Sequence, residues 1–462
     1  MIIMKFGGTS IEDAAAMTRV LGIIRAHRTE DPLVVVSAVA RATNELEETA
    51  RLAARGREGE ALRTAASLFD RHREIIRGLI RSPERTGVLH GAVDRARDQV
   101  ELLVKGLAIL GELTPRSMDA VCWWGERMSS RILAEALEEE GIPAAWMDAA
   151  DFMVTDAAFG QAQPVMSAVK DRLVPLLGRA RAEGRVPITQ GFIGVTSEGI
   201  PTTMGRESSD YSASILGAIV GAARVQIWTD VDGILTADPR MVRDARVVER
   251  LSYEEAFQLS FLGAKVLHPR TMLPLADGSI PVQVLNSRKP GCPGTWIQPA
   301  GGHHEGEGEP KSLAFLRGLS LLTVRPARRV PEPLFWTGVL GVLQAQRQVR
   351  VLSAAASVHG VSCLLETPGV SSDLRGRLAE AGNVEVREGA ASVSLVGEGI
   401  ARRRAVARRV LGALDDIAPL HLSLGDAACS MTLAVGEADL ASALGRLHGE
   451  FFARTAVPAR GS

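Results

Sequence analysis

Apolar positions along the 462-residue chain fall into two textures. Through the first 300 residues, short apolar runs that suit strands buried on both faces alternate with stretches of helical period. Residues 1–6 are apolar apart from Lys5, and beyond Gly7-Gly8 an apolar period runs through Ile11, Met17, Val20, Leu21 and Ile24, which predicts strand, glycine turn, helix. Thr9 or Ser10 is expected to cap that helix, with Glu12 or Asp13 closing the box. Residues 33–36, 225–228 and 280–285 read as further buried strands, and 186–195 as an alternating, turn-bounded stretch. Residues 44–113 shift to Ala, Arg, Glu and Leu at helical spacing and predict a helical insertion. Residues 118–139 read as one helix with Gly125-Glu126-Arg127 in its middle, and 213–222 as another, fed by the polar turn 202–212.

Residues 301–310 are polar and low in complexity, as a flexible linker should be, and the linker is expected to reach 311. Shorter units follow. Residues 319–324, 331–345, 349–352, 361–366, 372–381 and 383–387 spell βαββαβ, the ferredoxin-like order. A second pass (392–396, 402–414, 417–424, 431–435, 438–452) runs βαββα and lacks its last strand. The apolar stretch 312–316 can supply that strand if the first unit is inserted within the second. The expected domains are therefore 1–300, then 319–388, then 312–318 with 390–454.

Totals narrow the field. The length is too great for one core, and a net charge of −1 gives no reason to expect nucleic acid or a membrane surface as partner. Lys5 and the glycine pair interrupt the apolar opening, so it reads as a first strand and not a signal peptide; no apolar run reaches the roughly 18 residues of a transmembrane helix. The four cysteines (Cys122, Cys292, Cys363, Cys429) show no Cys-x-x-Cys spacing, which argues against zinc and a disulfide framework. The cytoplasm is the expected compartment.

The candidate chemistry begins at Lys5-Phe6-Gly7-Gly8-Thr9-Ser10. This is either an ordinary strand-to-helix turn or a phosphate cradle, in which glycines allow close approach, a helix start offers N–H groups and the lysine adds charge. Only six of the 53 basic residues are lysines, which makes Lys5 beside a glycine turn less incidental. Glu126, flanked by Trp123, Trp124 and Met128, either faces water or meets a cationic ligand. Arg206 and Asp210, about a turn apart, either frame a zwitterion or form a surface ion pair. Asp230 and Asp232 close a strand; Ile234 and Met241 stand where calcium ligands belong, so calcium is rejected and a nucleotide sugar or an Mg²⁺-phosphate complex is the alternative. The Walker pattern and Gly-x-Gly-x-x-Gly are both absent.

In residues 5–10, Val36-Ser37-Ala38 with Thr43-Asn44, Gly125-Glu126-Arg127, 190–194, 202–212, 227–240 and 261–269, the chain resembles the aspartate kinase family of amino-acid kinases. The resemblance implies an α/β fold: an amino-acid kinase αβα sandwich with a mainly parallel central sheet, followed by two ferredoxin-like (βαββαβ) ACT domains. It also implies phosphoryl transfer from MgATP to the side-chain carboxylate of L-aspartate, as the first step of lysine, threonine and methionine biosynthesis. Carried over, Lys5 would face the transferring phosphate and Gly7, Gly8 and Thr9 would cradle it. Ser37, Thr43, Glu126, Phe192, Arg206 and Ser209 would hold aspartate, Arg206 at its α-carboxylate and Glu126 at its ammonium. Asp210 would position lysine and substrate, and Thr229, Asp230, Leu235, Arg240 and Lys265 would bind ATP, with Mg²⁺ carried by its phosphates and no metal held by the protein itself. Aspartate, whose side chain titrates near 3.9, is already an ionised nucleophile, so charge and orientation must carry the catalysis.

Two departures stand out. Glu207-Ser208 replaces glycines of the family loop, yet activity is expected to persist because Lys5, Glu126, Arg206, Ser209 and Asp210 remain. Residues 351–358 lack the acidic residue and Thr-Ser-Glu run of lysine- or threonine-sensing members, which points to altered or lost feedback control. A homodimer or larger homo-oligomer through the ACT domains is implied, and a fused homoserine dehydrogenase is not expected. The alternatives are another amino-acid kinase, such as glutamate 5-kinase, and a catalytically weakened ACT-based sensor.

Overall fold

Five-residue runs such as Ile2–Phe6, apolar but for Lys5, and Pro32–Val36 are buried at every position, as strands covered on both faces must be. The computed structural model describes residues 1–205, 208–264, 267–300, 308–328, 331–346, 348–367, 369–424 and 429–453. The chain divides into two units, Met1–Gly233 with Leu267–Pro299 and Ile234–Val266 with Ala300–Ser462.

The sheet of the first unit runs in the order Ala144–Met147, Val186–Gln190, Pro32–Val36, Ile2–Phe6, Val225–Thr229, Val282–Asn286, Thr295–Gln298. All these pairings are parallel except the last. Helices Trp124–Glu139 and Ser208–Val220 pack on the central strands, the former joined by Ala14–Ala26 and the latter by Met166–Ala182 and Pro269–Asp277. Trp228 is fully buried, its ring stacked on Phe6 at 6.0 Å. In the insertion, helices Ala42–Ala54, Glu58–Leu79 and Pro83–Leu110 pack on one another through buried residues such as Leu46, Phe69, Val93 and Val100.

Two local expectations change. Gly8–Ser10 is a short 3₁₀ turn, and the helix starts later, at Ala14, capped by Asp13 whose side chain accepts from the Ala16 amide at 2.7 Å. Residues 118–139 are two helices, Pro115–Cys122 and Trp124–Glu139, meeting at Trp123. Glu126 therefore lies in a first turn, not mid-helix; the free amides there favour a carboxylate.

The second unit carries an antiparallel sheet in the order Arg350–Ser357, Gly360–Glu366, Ser312–Pro326, Gly382–Val396, Ser430–Gly436, His421–Leu424. Stretches expected as separate strands fuse: Ser312–Pro326 pairs along its length with Gly382–Val396, Ser312 opposite Val396 and Val324 opposite Val384. One core gathers Leu322, Phe335, Val339 and Leu365; a second gathers Leu313, Val393, Val410 and Leu444. Ala237 and Val242 join that second core. This explains why Ile234–Val266, expected within a catalytic unit of residues 1–300, groups with the second unit instead.

Glu255 ties that segment down. Fully buried in helix Tyr253–Phe261, its carboxylate accepts from the Ser252 amide at 2.8 Å, the Glu398 amide at 2.8 Å and Lys311 Nζ at 2.7 Å. Removing one partner of such a set strands the others without a bond. Glu255→Ala is expected to cost about 2–3 kcal/mol, seen as a lower Tm, and Glu255→Gln less. Equal melting of all three proteins would contradict this.

Candidate active site

Ligands of open parallel sheets bind beyond the carboxyl ends of the strands. Here those ends deliver Gly7 after Ile2–Phe6, Ser37 after Pro32–Val36, Gly191-Phe192 after Val186–Gln190 and Asp230 after Val225–Thr229. Lys5 sits on the central strand, in register with Val35 on one side and Ile227 on the other. Its side chain is almost buried, and its Nζ lies 2.5 Å from Asp210 Oδ1. Asp210 belongs to the first turn of helix Ser208–Val220.

Close backbone approach shapes the rest. A Cβ on Gly8 would stand 2.9 Å from the Ala38 carbonyl oxygen, so the glycine turn can lie against the loop that follows the neighbouring strand only because that residue has no side chain. A Cβ on Gly191 would come within 2.7 Å of Ser209 Cα. Phe192 holds a left-handed φ of 67°, a costly conformation for an aromatic residue; its amide donates to Ser212 Oγ at 2.9 Å and its carbonyl accepts from the Met204 amide at 2.9 Å.

Thr43, Glu126, Phe192 and Ser209 meet around one cavity of about 450 Å³. Ser209 links this cavity to the Lys5 pair, since the next residue is Asp210. Glu126 is 3% exposed; burial pushes its carboxyl up to about 8, against hydrogen bonds from its own backbone and from Ala38, and among the described residues its Oε2 has no hydrogen-bond partner. Ser37 does not line the cavity but is tied to the Glu126 helix, its carbonyl accepting from Ser129 Oγ at 2.6 Å.

The remaining expected residues fare differently. Gly7 and Thr9 flank or form the 3₁₀ turn, and the Gly7 amide donates to the Trp228 carbonyl at 3.1 Å. Thr229 and exposed Asp230 stand at their strand end. Asp232, considered with Asp230 for a nucleotide sugar or Mg²⁺-phosphate, is instead engaged by Lys289 Nζ at 2.9 Å and Asn286, which hold its carboxyl below the usual range. Leu235 and Arg240 belong to the second unit, where exposed Arg240 pairs with Asp238. Arg206, its neighbour Glu207, and Lys265 lie outside the described residues. Gly205 and Ser208, which precede and follow Arg206 and Glu207 in the sequence, line the cavity.

Sequence reasoning missed three charged residues in the cavity wall: Asp119 and the ion pair of Glu47 with Arg51 at 2.7 Å. Asp119 precedes Glu126 by seven residues, two helical turns, a spacing that could have marked both as sharing one face. Burial first, and then the carboxylates of Glu47, Glu126 and Asp119, push the Cys122 thiol upward, so it is inert here.

An anion approaching the glycine turn meets Lys5, and a small cationic group entering the adjoining cavity meets Glu126; this is the division of labour in a kinase acting on a small amino acid. The chain belongs to the amino acid kinase family, whose profile matches residues 1–286, and within it to the aspartokinases. It is 32% identical to lysine-sensitive aspartokinase 3 of Escherichia coli (strain K12) over 98% of this chain and 99% of that protein. It is 31% identical to the chloroplastic bifunctional aspartokinase/homoserine dehydrogenase 1 of Zea mays, spanning 50% of that protein. The crystal structure of E. coli aspartokinase III in complex with aspartate and ADP matches with a TM-score of 0.81 at 30% identity, over 98% of this chain and 100% of that one. The T-state complex of that enzyme with lysine and aspartate matches at a TM-score of 0.78. No helix among the described residues is long and apolar enough to cross a membrane.

Glu126 gives a stability prediction. Its carboxyl sits at about 8 in the fold against 4.5 ordinarily, so between those values the folded state binds the extra proton and stability falls as pH rises. Glu126→Gln is expected to melt a few degrees higher than the wild type at pH 9, and the gap should close toward pH 5. A gap that is constant with pH would contradict the buried, unpaired assignment.

Proposed function

We infer that the protein is an aspartate kinase, transferring the γ-phosphoryl group of ATP to the side-chain carboxylate of L-aspartate to give 4-phospho-L-aspartate. The observation that carries this reading is the adjacency of Ser209 and Asp210: one lines the cavity that holds Glu126, and the other grips Lys5. The buried Oε2 of Glu126, without a partner among the described residues, suits a substrate ammonium, which would draw the carboxyl into its charged form. Thr43, Phe192 and Ser209 would shape the cavity around the substrate, with Ser37 at its edge and Arg206 at the α-carboxylate.

Lys5 then has a defined task. Its ammonium would neutralise charge building on the transferring phosphoryl group, while Asp210 keeps it from swinging out of line. Gly7, Gly8 and Thr9 would present the turn to the phosphates, and Thr229, Asp230, Leu235, Arg240 and Lys265 would hold the nucleotide. Mg²⁺ carried on the nucleotide phosphates would shield their charge. The acceptor carboxylate is ionised at neutral pH, so no residue need remove a proton.

The same reading makes the reaction the first step toward lysine, threonine and methionine, carried out in the cytoplasm by a homo-oligomer. The paired ferredoxin-like modules would be ACT domains that receive an amino-acid effector, lysine or threonine. Their response would be altered: strand Arg350–Ser357 has no acidic residue, and Ser353 Oγ is already bonded to His421 Nε2 at 2.9 Å.

Hydroxylamine trapping of the acyl phosphate tests the assignment. Incubated with MgATP, the protein is expected to yield hydroxamate with aspartate and at least tenfold less with glutamate; adding lysine or threonine to the same assay reads the effector response. Turnover of glutamate alone, or of neither acid, would contradict it.

A further inference from the structure

The loop that follows strand Val282–Asn286 has no task in the proposed reaction, yet it reaches the glycine turn. Ser287 is 2% exposed and its Oγ lies 2.8 Å from Oγ of Ser10, the last residue of that turn, itself 1% exposed. Ser287 also makes two bonds to one acceptor. Its amide at 2.8 Å and its hydroxyl at 3.0 Å both donate to the Thr229 carbonyl, at the end of the neighbouring parallel strand. Asn286 Nδ2 and Lys289 Nζ donate to the two oxygens of Asp232, and Asn286 Oδ1 accepts from the Arg288 amide at 2.8 Å, which holds the loop in shape. Residues 286–289 thus join the turn that begins at Gly7 to the strand end that carries Thr229 and Asp230.

The turn itself presents a pair of donors. Its closing bonds run from the Ser10 amide to the Gly7 carbonyl at 3.0 Å and from the Ile11 amide to the Gly8 carbonyl at 3.2 Å, and the Gly7 amide is taken up by Trp228. The amides of Gly8 and Thr9 have no acceptor among the described residues, which suits them to an anion such as a phosphate. Such a pair serves a nucleotide only while its distance from the groups holding the rest of that ligand is fixed. The two serine hydroxyls supply the tie. Their shorter contacts run from Ser10 to Ser287 and from Ser287 to the Thr229 carbonyl; the alternative, Ser10 to the Trp228 carbonyl, is 3.3 Å. That alternative has a consequence for variants. Without Ser287 the Ser10 hydroxyl can turn to Trp228, and without Ser10 the Ser287 hydroxyl keeps Thr229, so neither change strands a buried hydroxyl. The other link between loop and turn, Arg288 with Glu12 at 3.0 Å, is a partly exposed pair and holds weakly.

We propose that Ser287 is a positioning residue for the nucleotide: through Ser10 it fixes the Gly8 and Thr9 amides relative to Thr229 and Asp230. This rests on the reading of the glycine turn and that strand end as the nucleotide's seat. Ser287 acts through Ser10, and neither serine lines the cavity that holds Glu126, so its loss loosens the nucleotide and leaves the acceptor site alone.

The test compares wild type, Ser10→Ala, Ser287→Ala and the double variant by calorimetry with MgADP, by KM for aspartate in the hydroxamate assay, and by Tm. Each single variant is expected to raise the Kd for MgADP at least fivefold, with the KM for aspartate within twofold and Tm within about 3 °C of wild type. Because both changes cut one tie, the double variant should bind MgADP within twofold of the weaker single variant, well short of the product of the two losses. A wild type that binds no MgADP overturns the reading of the nucleotide's seat, and this inference with it. With a wild type that binds, a Kd within twofold in the single variants, or losses that multiply in the double variant, overturn the role of Ser287 alone. So does a rise in both the MgADP Kd and the aspartate KM that tracks a fall in Tm.

Discussion

The ion pair between Lys5 and Asp210 is the constraint around which the first unit is arranged. A lysine on the central strand of a parallel sheet, flanked by Val35 and Ile227, has nowhere to send its charge except over the carboxyl edge. There it meets Asp210 at 2.5 Å, in the opening turn of helix Ser208–Val220. Burying such a pair brings little net stability, because both charges leave water. What it brings is placement, fixing a helix start and a cation relative to three strand ends. The close approaches at Gly8 and Gly191 serve the same placement by letting the turn and the helix crowd in.

The cavity beside that pair is built against stability. Glu126 and Asp119 are carboxylates at 3% and 1% exposure, neither with a cation among the described residues. Phe192 adds a left-handed backbone. Costs of this kind persist where the surrounding structure over-determines them, as at ligand sites. Their distribution is informative: Asp119 is satisfied by three protein donors, whereas Glu126 Oε2 has no hydrogen-bond partner among the described residues.

Much of this was legible in the sequence because the signals were local. Lys5 stood beside a glycine pair in a lysine-poor chain, Glu126 stood among tryptophans, and the strand count of the second half called for residues 312–316 to complete the second unit; Ser312–Leu316 pairs with Ser392–Val396. What was not legible depended on distance or on small apolar residues. Asp119 acquires its meaning from Gly160 and Thr203, 41 and 84 residues away. Asp232 looked like an open ligand until Lys289 and Asn286 came back to it across a neighbouring strand end. Ala237 and Val242 are too modest a pattern to announce that their segment belongs with the second core. The break at Trp123 escaped because both halves keep helical period, and it matters, since it turns Glu126 into a first-turn residue.

We propose that the charge of Lys5, held in place by Asp210, stabilises the transferring phosphoryl group and does little to bind the acceptor. Comparison of kcat for the wild type with Lys5→Met, together with aspartate binding by calorimetry and circular dichroism on both proteins, tests it most directly. A fall in kcat of at least a thousandfold is expected, about 4 kcal/mol of lost transition-state stabilisation, with aspartate affinity within about tenfold of wild type and an unchanged spectrum. A Lys5→Met protein that folds, binds aspartate and turns over at a rate close to wild type would contradict it.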